Sequence, residues 1–207
     1  MSELTEIEIA LNIIKETDEV LDTKELDNEK IAFFREQVRK NVFFLQEELS
    51  EQYSEAVTKY AIFPLLAYVD EKIMFRYEQE GNSFNWNLLQ QEYYDRKDGG
   101  EYVFDIIDSL LSDTIYPQVC YKIIFFILNS DFSGKYYSNI YDSDFLSYKK
   151  QINKIISENN SRSLNIIDAT KPSPPSRDIK TASYKKYLIG AAIPIVLFGI
   201  SVFVFSF

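Results

Sequence analysis

The stretch YLIGAAIPIVLFGISVFVFSF, residues 187–207, runs for 21 positions without a charged side chain. As a helix rising about 1.5 Å per residue it reaches roughly 30 Å, the thickness of a bilayer's hydrocarbon core. A buried core helix of that length ordinarily keeps a polar edge, and here only Ser201 and Ser206 offer one. The expectation is one transmembrane helix at 187–207, which makes the phospholipid bilayer a partner of the chain. Lys171, Arg177, Lys180, Lys185 and Lys186 precede it and no charge follows, so the positive-inside rule keeps residues 1–186 in the cytoplasm. The start, MSELTEIEIALNIIKE, is acidic and amphipathic and lacks the basic opening and apolar run of a signal peptide. A tail-anchored protein is expected.

Charge divides along the chain. Residues 1–168 carry 17 Lys and Arg against 31 Asp and Glu, a net of −14, whereas 169–186 carry 5 against 1, a net of +4, together giving the overall −10. A basic neck suits anionic headgroups, while an acidic body repels the phosphate backbone, so nucleic acid is not expected as a partner. One cysteine and no histidine exclude Ser-His-Asp and Cys-His catalysis and most zinc sites. Cys120 lies inside the apolar run VCYKIIFFIL and reads as a small core residue. No glycine-rich phosphate loop is present, and neither cofactor nor metal is expected.

Between residues 3 and 159 apolar residues recur at three and four, the helical period, and not at two. Leu4, Ile7, Leu11, Ile14 and Leu21 form a first stripe, and Ile31, Phe34, Val38, Val42, Leu45 and Leu49 a second. A third helix is expected from about Ser54 to Glu78 with Pro64 inside it, then a loop at QEGNSFNW, a short helix in WNLLQQEYY and a turn at DGGEY. Val103, Ile106, Ile107, Leu110 and Leu111 mark another helix. YPQVCYKIIFFILNSDF, apolar on nearly every side with Pro117 suited to a first turn, reads as the central helix. A loop at SDFSGKYYSNIYDSD follows, then a last helix capped by Asp142 or Ser143 with Phe145, Tyr148, Ile152 and Ile155 inward. The fold class is thus all-α: about seven helices in a cytoplasmic domain over 1–159, in one bundle or two. A Pro/Ser-rich extended linker occupies 160–186 and the membrane helix 187–207.

One feature resists simple packing. In FPLLAYVDEKIMFRY, residues 63–77, a wheel of about 100° per residue puts Asp70 within roughly 60° of Phe63, Leu66, Ala67, Ile73, Met74 and Tyr77, the middle of the apolar face. An unpartnered buried carboxylate costs several kcal/mol. Two readings follow: Asp70 accepts hydrogen bonds from a helix N-terminus, a Tyr hydroxyl or a Lys/Arg, or else it lines, with Glu71 at the face's edge, an acidic groove that receives a basic partner. Acid–base catalysis by the pair is disfavoured because adjacent residues on a helix diverge.

YAIFPLLAYVDEKIM (60–74) resembles the aromatic-Ala-x-x-small-apolar-Asp-Glu signature of the DotU family, also called TssL or IcmH-like. These are inner-membrane proteins of type VI and type IVB secretion systems. FNWNLLQQEYYDRKDGGEYVFDIIDSLL is similar to that family's Trp, Leu-Leu, Gly-Gly-Glu block, and YKIIFFILNSDFSGKYYS followed by LSYKKQINKII to its apolar helix, Gly-(Arg/Lys)-Tyr turn and closing helix. The blocks stand in family order over 54–156 and a single span follows.

The resemblance assigns the signature acids to Asp70 and Glu71, the indole to Trp86, one turn to Gly99, Gly100 and Glu101, and the other to Gly134, Lys135 and Tyr136. Read from the residues alone, Trp86 is a core anchor, Gly99 and Gly100 a turn before a helix, and Gly134 a positive-φ position. Pro64 replaces a small helix-former and Asp98 an aromatic of the family pattern, and the peptidoglycan-binding domain that some relatives carry after the span is not expected. The resemblance implies a bacterial inner-membrane, single-pass, non-enzymatic scaffold that associates with an IcmF/TssM-type membrane protein and docks the secretion machine's baseplate, with Asp70 and Glu71 as partner-binding residues. Homo-oligomerisation stays open. The alternatives are a stand-alone tail-anchored tether, which lacks the heptads it would need, and a membrane-anchored hydrolase, which lacks the catalytic residues.

Overall fold

The computed structural model of the chain describes residues 3–79, 81, 84–113 and 115–170. Among these there are seven α-helices and no strand: α1 Glu3–Leu21, α2 Asn28–Gln52, α3 Glu55–Gln79, α4 Leu89–Tyr94, α5 Gly99–Ser112, α6 Gln118–Asn129 and α7 Ser143–Thr170, with a 3-10 turn at Gly134–Tyr136. The all-α expectation holds for them. The chain divides into a unit of residues 1–163 and a second of 164–207, and of the second only the end of α7 is described. No helix among the described residues is long and apolar enough to cross a membrane. The span expected at 187–207 and its flanking Lys185 and Lys186 lie outside them.

Local chemistry sets the helix ends. Asp27 accepts from Lys30 N at 2.8 Å and caps α2. Asp142 does the same for α7, its Oδ1 accepting from Asp144 N at 2.9 Å. Pro117, extended at ψ 156°, stands just before α6 and so costs no helical hydrogen bond. Residues 160–170, expected as the start of an extended linker, continue α7 as helix.

The second stripe is buried as read, from Ile31 to Leu49. The first is broader than expected: α1 meets α2, α3 and α6, so Glu6, Ile7, Ala10, Ile13, Ile14 and Thr17 turn inward, while Leu11, at the edge of that face, stays 36% exposed. Thr17 meets the demand of burial by donating its hydroxyl to Ile13 O at 2.7 Å. The central helix is α3, not α6. Every residue from Ala61 to Asp70 is buried, and α3 packs on α1, α2, α4, α5 and α6, whereas α6 leaves Phe125 and Phe126 half-covered. One contiguous apolar core joins all the helices of this unit. Cys120 lies within it, its thiol pushed up to about 12 by burial, as a small core residue.

Candidate functional site

Asp70 and Glu71 sit side by side on α3 and hold two different loops. Asp70 is 1% exposed. Its Oδ1 accepts from the Trp86 indole Nε1 at 2.9 Å and from Leu89 N at 2.8 Å, and its Oδ2 accepts from Gln90 N at 2.9 Å. Leu89 and Gln90 open α4, whose own N-cap position is Leu88 and supplies no side-chain acceptor. A six-residue helix is too short to be stable alone. The buried carboxylate takes up its orphan N–H groups from across the core. Burial pushes the Asp70 carboxyl above the usual range, and the three N–H donors oppose that shift.

From the other side α2 closes the same loop. Trp86 lies between the Phe34 ring at 6.1 Å and the Arg35 guanidinium at 4.7 Å. Arg35 donates to Asn87 O at 2.5 Å and to Glu92, and Arg39 pairs with Glu92 at 2.6 Å. Burial alone would raise the Glu92 carboxyl, but the two guanidiniums outweigh it and hold it below the ordinary glutamate range.

Glu71 performs the equivalent task for the second loop. Its Oε1 accepts from Ser133 N at 2.9 Å and Ser133 Oγ at 3.2 Å, and its Oε2 from Gly134 N at 2.7 Å. Gly134 has φ +51°, and a Cβ there would stand 2.5 Å from Gly100 O and 2.9 Å from a Phe104 ring carbon. Only glycine fits. Gly100 faces the Gly134 backbone, and a Cβ on Gly99 would meet Gln90 Oε1 at 2.4 Å, so the first turn of α5 is wedged between the two loops that the acids hold.

The expected turn at DGGEY is thereby corrected. Gly99, Gly100 and Glu101 are the first turn of α5 itself, because close backbone approach, not chain reversal, demands the glycines. Glu101 is exposed at that helix start, where a negative charge is favourable. Tyr136 packs edge-on to Phe104 at 4.9 Å and near Phe145 at 5.4 Å, and the Lys135 ammonium lies 5.1 Å from the Phe104 ring centre. Asp98, which replaces an aromatic of the family pattern, pairs with Arg96, and the Arg96 guanidinium covers Tyr102 at 3.7 Å.

The structure therefore brings Asp70, Glu71, Trp86, Gly99, Gly100 and Gly134 into one framework beside the C-terminal half of α3, with Lys135 and Tyr136 on the Phe104 ring and Glu101 exposed at the start of α5. Of the two readings of Asp70, the helix N-terminus is the one realised. Asp70, 1% exposed, turns both carboxylate oxygens to the loop and not to solvent. Glu71 reaches the surface only as part of a groove of about 630 Å³, whose walls include Phe75 on α3 and Tyr137 on the second loop, 63% and 79% exposed. Sequence reasoning missed Gln90, Ser133 and the Arg35–Glu92–Arg39 clamp. It also missed Arg76, which donates to Leu21 O at 3.1 Å and Thr23 O at 2.9 Å and so closes the end of α1. These pairings span 50 residues or more, save that of Gln90 with Asp70, and no local motif signals them. No cluster of potential metal ligands occurs among the described residues.

Fold and site together define an all-helical domain whose signature acids serve its own architecture. The family model described as type VI secretion system protein DotU matches residues 13–207. A solved structure titled DotU from Francisella novicida is 59% identical, with a TM-score of 0.71, covering 74% of this chain and 99% of that one. Among curated proteins none matches. The chain belongs to the DotU family of type VI secretion system proteins. That family is a secretion-system component and not a known enzyme family.

Proposed function

We propose that this chain is a non-catalytic scaffold of a type VI secretion system, tethered to the bacterial inner membrane by residues 187–207 with its helical body in the cytoplasm. In this reading it associates with an IcmF/TssM-type membrane protein and docks the cytoplasmic baseplate. The observation that carries it is the groove beside Glu71. Glu71 ties its loop wall at Ser133 and Gly134 to the α3 wall, and two large side chains, Phe75 and Tyr137, stand uncovered on it. Exposed aromatics on a rigid, satisfied backbone are what a protein-binding hot spot requires. Asp70 and Glu71 then serve the partner indirectly, by fixing the surface it meets.

The test is co-purification from membranes of cells expressing the whole machine. Phe75→Ala with Tyr137→Ala should lower capture of the IcmF-type or baseplate protein at least about tenfold, with the melting temperature unchanged. Normal capture and normal secretion by that variant would refute the groove. The tether is checked separately, since alkaline carbonate should leave the full chain in the membrane pellet.

A further inference from the structure

A second groove, separate from that beside Glu71, runs between the C-terminal half of α1 and the N-terminal half of α2, with a volume of about 760 Å³. Its floor is apolar: Val20 is half-buried, Phe34 buried, and Phe33 stands 67% exposed at its side. Its margins are acidic, with Glu16 and Glu19 on α1 and Asp27 and Glu29 at the start of α2, against Lys30. Lys30 is already engaged by Asp27 at 3.5 Å and Lys15 by Glu19 at 3.4 Å. Glu16 and Glu29 thus have no ion pair among the described residues. The last turn of α1 carries no basic residue of its own, and its end carbonyls are taken up by Arg76 from α3, so the negative sign of the groove rests on its carboxylates.

We infer that this groove docks an amphipathic helix of a partner protein, one with Lys or Arg along both margins of an apolar stripe. An apolar trough between two helices offers no strand edge to extend, and helix-in-groove packing is the mode it suits. The charge selects the sign of the partner. A second copy of this chain is disfavoured by its own charge, since residues 1–168 carry a net of −14. The basic segment 171–186 of this chain has the right sign, but its large apolar residues are Ile179 and Tyr184 alone, which make no i, i+3, i+4, i+7 stripe.

The test uses residues 1–163, which hold every core residue among the described ones, and a related chain that covers 74% of this one has been solved on its own. The probe is a labelled peptide of about 18 residues with Leu at i, i+3, i+4, i+7 and Lys elsewhere, followed by fluorescence anisotropy. Binding is expected, weakening steeply from about 50 to about 300 mM salt. Glu19→Lys with Glu29→Lys should weaken it at least about tenfold and Phe33→Ala about fivefold. Phe44→Ala, exposed on the same helix but outside the groove, should leave it unchanged. All of these positions are exposed, and unaltered circular dichroism confirms folding. Equal binding of the peptide by every variant, or of the same peptide with Glu for Lys, overturns the inference. So does displacement of the probe by a synthetic 171–186 peptide, which gives the groove to this chain's own neck, or self-association abolished by Phe33→Ala, which gives it to a second copy.

Discussion

Replacing Asp70 by Ala isolates what the buried carboxylate does. The change strips acceptors from Leu89 N and Gln90 N, both fully buried, and from the part-buried Trp86 indole. Each buried donor left unpaired costs about 1–3 kcal/mol, and the exposed part of the loop recovers some of the indole's share from water. Against this, removing a desolvated carboxylate returns part of its burial penalty. The net is a loss of about 3–4 kcal/mol, a large share of a typical 5–15 kcal/mol. For a unit of this size about 1 kcal/mol shifts the melting temperature by roughly 2–4 °C, so a drop of about 6–16 °C is expected. Trp86 is the sole tryptophan, and its emission reports this loop alone. It should shift to the red in the native state of the variant as the indole loses its acceptor and its seat against Phe34. Asp70→Asn keeps one oxygen for Trp86 and Leu89 but turns an NH2 group toward Gln90 N, and about 2 kcal/mol should be lost. An Asp70→Ala protein with unmoved melting temperature and emission would refute the account and return Asp70 to the role of a surface contact.

Gly134→Ala meets both a left-handed backbone and the Gly100 carbonyl, and should cost more than about 3 kcal/mol or prevent folding in thermal melts. Gly81→Ala, also at positive φ (+68°) but in open space, should cost about 1 kcal/mol. Glu92 has a lowered carboxyl in the folded state, so the unfolded chain binds more protons as acid is added. Its stabilisation is present above the ordinary glutamate range and lost as pH falls through the lower folded value. Urea midpoints of the parent and Glu92→Gln should differ at pH 7 and converge as pH falls through the lowered folded value. Cys120, buried with its thiol raised to about 12, should resist Ellman's reagent at pH 8 until urea unfolds the protein; rapid native labelling would contradict the core placement.

How much was legible follows from how many sides of each helix are covered. The α2 stripe could be read residue by residue because α2 packs on one side and meets water on the other. In α3 burial on every face from Ala61 to Asp70 erases the period of 3.6, so its existence was readable but its place at the centre was not. The anomaly of Asp70 survived because a charge stands out on an apolar face whatever surrounds it. Its partners, 16 to 20 residues onward across a loop, leave no mark that spacing can detect. Gly99 and Gly100 misled for a related reason: glycine signals either a turn or a close approach, and only the positions of Gln90 and Gly134 decide between them.

A leucine at position 70 would pack well against its neighbours on α3 and still be the wrong residue. The short α4 cannot satisfy its own first amides, and its N-cap Leu88 offers no side-chain acceptor. A carboxylate in the core converts that deficit into fixed register, since its two oxygens accept three N–H groups in one arrangement only. Glu71, one residue on and about 100° around the helix, does the same for the loop at Ser133 and Gly134. One turn of α3 thus sets the relative position of two loops and of the α5 start wedged between them. A secretion defect on removing either acid is therefore expected whether or not any partner touches it. Only substitutions that leave the frame intact, such as Phe75→Ala with Tyr137→Ala, separate a binding surface from the struts that hold it.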